Sequence, residues 1–443
     1  MRVGAAAVSA GISFVLIFGT ISITPRAALA LPAFAQQTGQ PCGRCHNAFP
    51  ELTAFGRRFK LGGYTLGGGE ERALRVSVMG IGGFTHTEAP QVPPPPGFKS
   101  NDNLSLEQFS AFYGGKIVEN LGAFAQVTYD GIAHNWHWDN VDIRYANRGE
   151  LFGHDVIFGI TAHNNPTVQD VYNTTPAWGH PYVSPGLAPS PAAATLIEGA
   201  FAQAVGGLGA YAFFNDQFYV EVSAYKTLSQ KALHTLGIDP TSVPGAIPSV
   251  APYVRVAWER NWDSHSLMIG AFGMVANVAP GFMPGIGTDR FVDLGLDSQY
   301  QWEGDNGYFT LRSTLINEKQ NLDATFAQLG SDNLVNTLNS FKASATFING
   351  KQSNKVGFTV GYFSITGSSD ATLYMNNASG FSPNSNGWMG EIFYIPFGLN
   401  QSPGWPWWNA RVGVQYIYYN KFDGTTFGAK GNNTLFLYLW MAG

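Results

Sequence analysis

From Arg72 onward the chain alternates apolar and polar residues with a period of two over short stretches broken by turn residues, the pattern of strands with one wet and one dry face. In Phe341 to Ile348, the residues Phe341, Ala343, Ala345 and Phe347 share one side and Lys342, Ser344 and Thr346 the other. Val356, Phe358, Val360 and Tyr362 likewise oppose Gly357, Thr359 and Gly361, and Ala410, Val412, Val414 and Tyr416 oppose Asn409, Arg411, Gly413 and Gln415. Segments of this kind begin near residues 72, 104, 121, 137, 153, 205, 217, 250, 265, 291, 307, 339, 354, 386, 407 and 433. They number about sixteen, and an even number of antiparallel strands is what closes a bacterial barrel.

The connections test this independently. After even-numbered segments they are brief, as at Asn215-Asp216, Asn261 to Ser264 and Asn349 to Ser353; after odd-numbered ones they are mostly long, as at Thr85 to Asn103, His163 to Ala204, Thr227 to Ser249 and Asn317 to Leu338. Short periplasmic turns alternating with long external loops is the outer-membrane arrangement. The expected inward-facing charges include Asp142, Arg144, Glu221, Asp293, Asp297, Arg312, Glu391 and Arg411. Trp136, Trp138, Trp258, Trp262, Trp405, Trp407 and Trp408 fall near strand ends, where interfacial girdles belong.

Composition narrows the class further. Charged residues are 12% of the 443, aromatics 14%, and glycines number 53. Beyond the first thirty residues no apolar run reaches the roughly 18 residues of a membrane helix. The expected fold is therefore all-β: a transmembrane outer-membrane β-barrel of about 16 antiparallel strands spanning residues 71–443, with a small helical module before it. A soluble all-β sandwich is the alternative. The net charge of -5 leaves no basic footprint for nucleic acid.

Residues 1–30 have the form of a secretory signal: Arg2 at the charged start, an apolar core from Gly11 to Ile23, and small residues at Ala28-Leu29-Ala30. Cleavage after Ala35 is the alternative. The module that follows, residues 31–70, holds both cysteines of the chain in Cys42-Gly-Arg-Cys45-His46, the spacing that attaches a c-type haem. Each thiolate can add to one vinyl group, and the next histidine becomes the proximal iron ligand. A zinc site would need a second ligand pair, and a thioredoxin-like dithiol would need alternating strands and helices; the chain has neither. Pro50, Glu51 and the run to Lys60 suit a short helix stopped at Gly62-Gly63. Phe49, Phe55 and Phe59 are candidates to pack on the haem. Arg57, Arg58 and Lys60 either pair with its propionates or form a solvated face.

The order LPAFAQQTG, CGRCH, FPELTAFGRRFKLGGYTL over Leu31 to Leu66 resembles the outer-membrane fused monohaem cytochrome-porin family, which includes Fe(II)-oxidising outer-membrane c-type cytochromes. The resemblance implies a monohaem module in or against a pore, with Cys42 and Cys45 binding haem and His46 ligating its iron. It also implies oxidation of extracellular Fe(II) and electron delivery to a periplasmic cytochrome or copper carrier, in contact with outer-membrane lipid. For the sixth ligand, alternation in Arg75-Val76-Ser77-Val78-Met79 puts Met79 on the lumen side with Arg75 and Ser77; a methionine ligand raises the potential. His86 is the second choice. The remaining histidines, His163 and His180 among them, fall in loops and at strand ends, and most are expected to be solvated or interfacial. The competing functions are a solute-conducting porin with a structural or regulatory haem plug, and a haem conduit for a donor other than iron.

Overall fold

The computed structural model describes residues 32–47, 50–69, 75–166, 168–175, 181–283, 285–304, 307–349, 355–377, 380–399 and 407–443. Residues 1–30, Phe49, His180 and Trp405 lie outside the described residues.

Sixteen antiparallel strands close into one barrel. In chain order they are β1 (Val76–Thr87), β2 (Asn103–Val118), β3 (Leu121–Asp130), β4 (Asn135–Leu151), β5 (His154–His163), β6 (Val205–Phe214), β7 (Phe218–Thr227) and β8 (Ala251–Trp262). The second half comprises β9 (His265–Pro280), β10 (Asp289–Gly304), β11 (Gly307–Asn321), β12 (Val335–Asn349), β13 (Lys355–Gly367), β14 (Ser385–Ile395), β15 (Asn409–Lys421) and β16 (Thr434–Ala442). A two-residue piece, Gly245–Ala246, pairs with the end of β9 outside this count. Closure is direct: β1 pairs with β2 through Val76 and Tyr113, and with β16 through Met79 and Ala442. Every expected strand is present. The largest offsets are at β1 and β12, which begin at Val76 and Val335 rather than near residues 72 and 339.

The wall separates two solvents as the alternation requires. On β10, Leu294 and Leu296 point outward at 62% and 61% exposure while Asp293 and Asp297 are buried inside. All eight expected lumen charges are buried. A closed barrel with an apolar outer band satisfies every backbone donor in lipid and belongs in the bacterial outer membrane. The turns after β2, β4, β6 and β8 are two or three residues long, whereas β5 and β6 are joined by the 164–204 loop. Residues 131–134, after β3, are the short exception on the long-loop side.

The described residues of the N-terminal module carry three helices, α1 (Pro32–Thr38), α2 (Cys42–Cys45) and α3 (Ala54–Leu61). The Thr53 hydroxyl caps α3 by accepting from the Gly56 amide at 3.1 Å, and Gly62 ends it. Phe34 and Phe59 meet edge to face at 5.1 Å, and Tyr64 stacks on Phe34 at 5.5 Å. Phe59 is thus spent on the module's own core, and Phe55 lies under the Arg44 guanidinium at 4.6 Å. No helix among the described residues is long and apolar enough to cross a membrane; this chain crosses with strands.

Candidate functional site

Cys42 and Cys45 stand three residues apart on the single turn of α2, which brings their side chains to one side. Both thiols are free and half-buried. The His46 amide closes the turn onto the Cys42 carbonyl at 2.9 Å, and the Gly43 amide donates to the Leu399 carbonyl at 2.5 Å. Leu399 belongs to an apolar cluster with Tyr308, Ile348, Phe393 and Ile395 at the short-turn end of β11 to β14. Burial pushes the Cys42 thiol up to about 11; burial, and then the neighbouring Cys42, push Cys45 to about 12.

The His46 Nδ1 lies 3.2 Å from the carbonyls of both Pro50 and Glu51. Carbonyls only accept, so Nδ1 carries the proton and the neutral ring keeps its lone pair on Nε2. Burial depresses the imidazole to about 4, leaving it neutral at ordinary pH. Two free thiols on one turn, followed by an imidazole with its tautomer fixed by backbone, are a donor set that fits covalent haem. Helix α3 rests on this turn at Gly56, where an added Cβ would sit 2.4 Å from the Cys45 carbonyl oxygen.

The module plugs the short-turn end of the lumen. Arg57 is buried and grips Glu259 of β8 with two bonds, Nη2 to Oε1 at 2.8 Å and Nε to Oε2 at 3.1 Å. It also donates to Gln301 at 2.9 Å and Ser266 at 2.7 Å, and to the module's own Leu52 carbonyl at 2.9 Å. Arg58 pairs with Asp216 in the β6–β7 turn at 3.2 Å, half-exposed. Lys60 donates to the Val168 carbonyl and, at 3.1 Å, to that of Asp170; burial, and then the Arg144 charge, lower it to about 8. The three cations singled out for propionates are thus engaged with the wall, a turn and a loop. Tyr64 donates to Asp142 at 2.6 Å, and Tyr211 donates to the Leu61 carbonyl at 2.6 Å. At Gly122 of β3 the fit is so close that a Cβ would lie 2.2 Å from the module's Gly63 oxygen.

From the opposite mouth the 164–204 loop folds inward to meet the plug. Arg255 of β8 binds Asp297 of β10 and lies 3.7 Å from Asp170 of the loop, all three buried. Gln299 donates to the Tyr172 carbonyl and Thr314 to that of Thr174, each at 2.7 Å. Leu61 of the module, Val171 and Tyr172 of the loop, and Tyr211, Tyr219 and Met268 of the wall share one core cluster. At the plug's tip Glu51 accepts from Gln301 at 3.1 Å, from Thr310, and from the loop's Tyr182 at 3.3 Å.

Met79 does face the lumen, in a cluster with Ile81, Val183, Phe436, Tyr438 and Trp440, none of them in the module. His86 lies at the long-loop end of β1, its Nδ1 2.7 Å from Asp102. That is the mouth opposite the plug, which removes it as second choice for a haem ligand. His163 departs from the solvated expectation: it is buried in the lumen, with Nε2 2.7 Å from the Tyr225 hydroxyl. Among the described residues no three His, Cys, Asp or Glu side chains are grouped to hold a metal ion.

The inward fold of the 164–204 loop and the role of Glu51 escaped the sequence reading. One signal was present. Glu51 is the only acid in residues 31–69, against the bases Arg44, Arg57, Arg58 and Lys60, so a cationic plug faces a wall expected to carry carboxylates.

No family model and no curated protein matches the chain. Solved outer-membrane structures are similar in fold: OprB of Pseudomonas putida (13% identity, TM-score 0.48) covers 83% of this chain and 93% of its own. OmpF of Salmonella typhi, in complex with daunomycin, stands at 12% and 0.45 with 83% and 97% covered. An anion-selective porin from Comamonas acidovorans stands at 11% and 0.45 with 83% and 98% covered. The chain's own sixteen-stranded closure and apolar outer face make it an outer-membrane β-barrel.

Proposed function

We propose that this chain is an outer-membrane electron conduit that oxidises extracellular Fe(II) and delivers the electron to a periplasmic cytochrome or copper carrier. Its cofactor would be one haem held covalently by Cys42 and Cys45, with His46 Nε2 as proximal iron ligand. Bound there, haem supplies one-electron chemistry between ferrous and ferric iron. The observation that carries the reading is the lodging of the CxxCH module inside the lumen by the buried Arg57–Glu259 pair.

The surrounding residues have consistent tasks. The Pro50 and Glu51 carbonyls orient the imidazole. Arg57, Tyr64 and Leu61 hold the module in the wall, and the 164–204 loop closes on it from outside, restricting the lumen to solutes. An apolar band of about 25 Å otherwise insulates the two aqueous sides, so a redox group within the lumen shortens the gap from both. Outer-sphere electron transfer needs no inner-sphere iron site. A solute porin with a haem plug is the second reading, favoured by the open space left beside the loop, and a conduit for another donor is the third.

The test begins with expression beside a haem-attachment system, expecting a covalent haem lost in Cys42→Ser and Cys45→Ser. The purified protein in detergent is then mixed anaerobically with Fe(II) at acidic and near-neutral pH in a stopped-flow spectrometer. Rapid appearance of the ferrous haem spectrum is expected. Reduction by dithionite but not by Fe(II) at either pH would remove iron as donor, and absence of haem would remove the conduit altogether.

A further inference from the structure

The plug and the 164–204 loop do not fill the lumen evenly. Between the loop and the inner face of β11 to β15 a cavity of about 410 Å³ remains, within the usual size range of small-molecule sites. It is lined by no residue of the module. Its wall is largely apolar, with Phe363, Ile417 and Tyr419 toward the long-loop end. Arg312 stands at its deep end, beside the plug's tip, with Lys342 and Glu198 above it.

Arg312 is the unusual member. Its side chain is only 5% exposed, yet its nearest carboxylate, Glu51, is 3.8 Å away, too far for a hydrogen bond. That carboxylate accepts instead from Gln301, Thr310 and Tyr182. Arg312 donates through Nη1 to the Tyr182 hydroxyl and weakly through Nη2 to Ser344 at 3.4 Å. Its Nε has no partner among the described residues. A buried guanidinium with an unspent donor is costly to leave so, and an entering anion repays it. Lys342 adds a second cation, held 2.9 Å from Glu198 and still partly open.

We propose that this cavity is a binding site for small organic anions with an apolar face, such as aromatic carboxylates, entering from the long-loop side. The ring would lie on the Phe363, Ile417 and Tyr419 surface and the carboxylate would be directed at Arg312. A bare divalent cation is the wrong ligand for this lining, because it would be set against two cationic side chains. The inference concerns binding alone and survives if the chain takes no haem.

The experiment is isothermal titration calorimetry of the full-length protein in detergent with 2-naphthoate and its neutral isostere 2-naphthamide. Naphthoate is expected to bind more tightly than the amide. Arg312→Gln should weaken naphthoate about tenfold or more and leave the amide unchanged. Gly361→Phe should weaken both: a Cβ there meets the flexible end of Met389 at 3.3 Å, and the added ring takes up space in the cavity that either probe needs. Equal affinity for the two probes overturns the proposal. So does indifference to both substitutions, or an Arg312→Gln loss shared equally by acid and amide. If Arg312→Gln does not fold, Arg312→Lys with Gly361→Phe decides by the same comparison.

Discussion

Along β4 to β10 Arg144 and Arg255 meet carboxylates of the wall and Glu259 meets the plug, and farther round Arg411 meets Glu391 at 2.9 Å, whereas Arg312 of β11 and Lys342 of β12 border open space. On the filled side Arg57 meets Glu259, Arg144 meets Asp142 at 2.7 Å, and Arg255 meets Asp297, every partner buried. On the open side Arg312 has no carboxylate nearer than Glu51 at 3.8 Å and stands beside a largely apolar wall. The same barrel thus uses buried cations in two ways. A guanidinium in hydrogen-bond contact with a carboxylate fixes one arrangement of chain segments, while one whose nearest carboxylate stands 3.8 Å off, beside a cavity, is a place for something else to bind.

The largest effect should come from breaking the filled side at its centre. Glu259→Ala leaves the Arg57 guanidinium buried without a charge partner, which costs on the order of 3–5 kcal/mol. That cost falls on docking of the module and not on the barrel. The expected result is tryptic cleavage after Arg57, Arg58 or Lys60 in a barrel that still migrates as folded, with ion conductance rising in planar bilayers. Continued protection with unchanged conductance would mean that the wall contacts at Tyr64 and Leu61 suffice without the ion pair.

A somewhat smaller effect is expected one layer outward. Arg255→Met frees Asp297 and Asp170, and the loop loses its tie to the wall at a cost of about 3 kcal/mol. Amide exchange should quicken in residues 168–175 while α3 keeps most of its protection, because Arg57 still holds Glu259 and Tyr211 still holds the Leu61 carbonyl when the loop loosens. Equal loosening of α3 would show that plug and loop form one cooperative unit. Finer still is Tyr211→Phe, which removes one buried bond to the Leu61 carbonyl. About 1 kcal/mol is expected, measured as roughly fivefold faster exchange at the end of α3.

How much of this was legible follows the same division. The wall announced itself because lipid on one face and water or polar plug on the other enforce a period of two, and Val356, Phe358 and Val360 are outward at about half exposure as that period demands. The CxxCH turn was legible because its chemistry requires adjacent residues. What lay hidden was tertiary pairing across long separations: Arg57 finds Glu259, and Glu51 finds Thr310, through no local pattern. The 164–204 loop was hidden for a different reason. Its inward course depends on single contacts such as Thr174 with Asp297 and the Ile197 amide with Asp293, which carry no periodic signal.

A different kind of effect is a dependence on pH confined to the plug. Burial holds His46 near 4 in the folded chain against 6.5 when exposed. Between those values the undocked segment binds more protons than the docked one, so docking stability rises with pH there. This contribution is whole above about pH 6.5, declines as the pH falls toward 4, and changes no further below that. In the haem-free protein, amide protection of residues 42–52, normalised to unfolded peptide rates, should fall over that window. His46→Gln should flatten the response while leaving the 168–175 segment as it was. If the variant keeps the wild-type slope, the acid sensitivity does not come from the CxxCH turn, and another part of the plug is what acid loosens first.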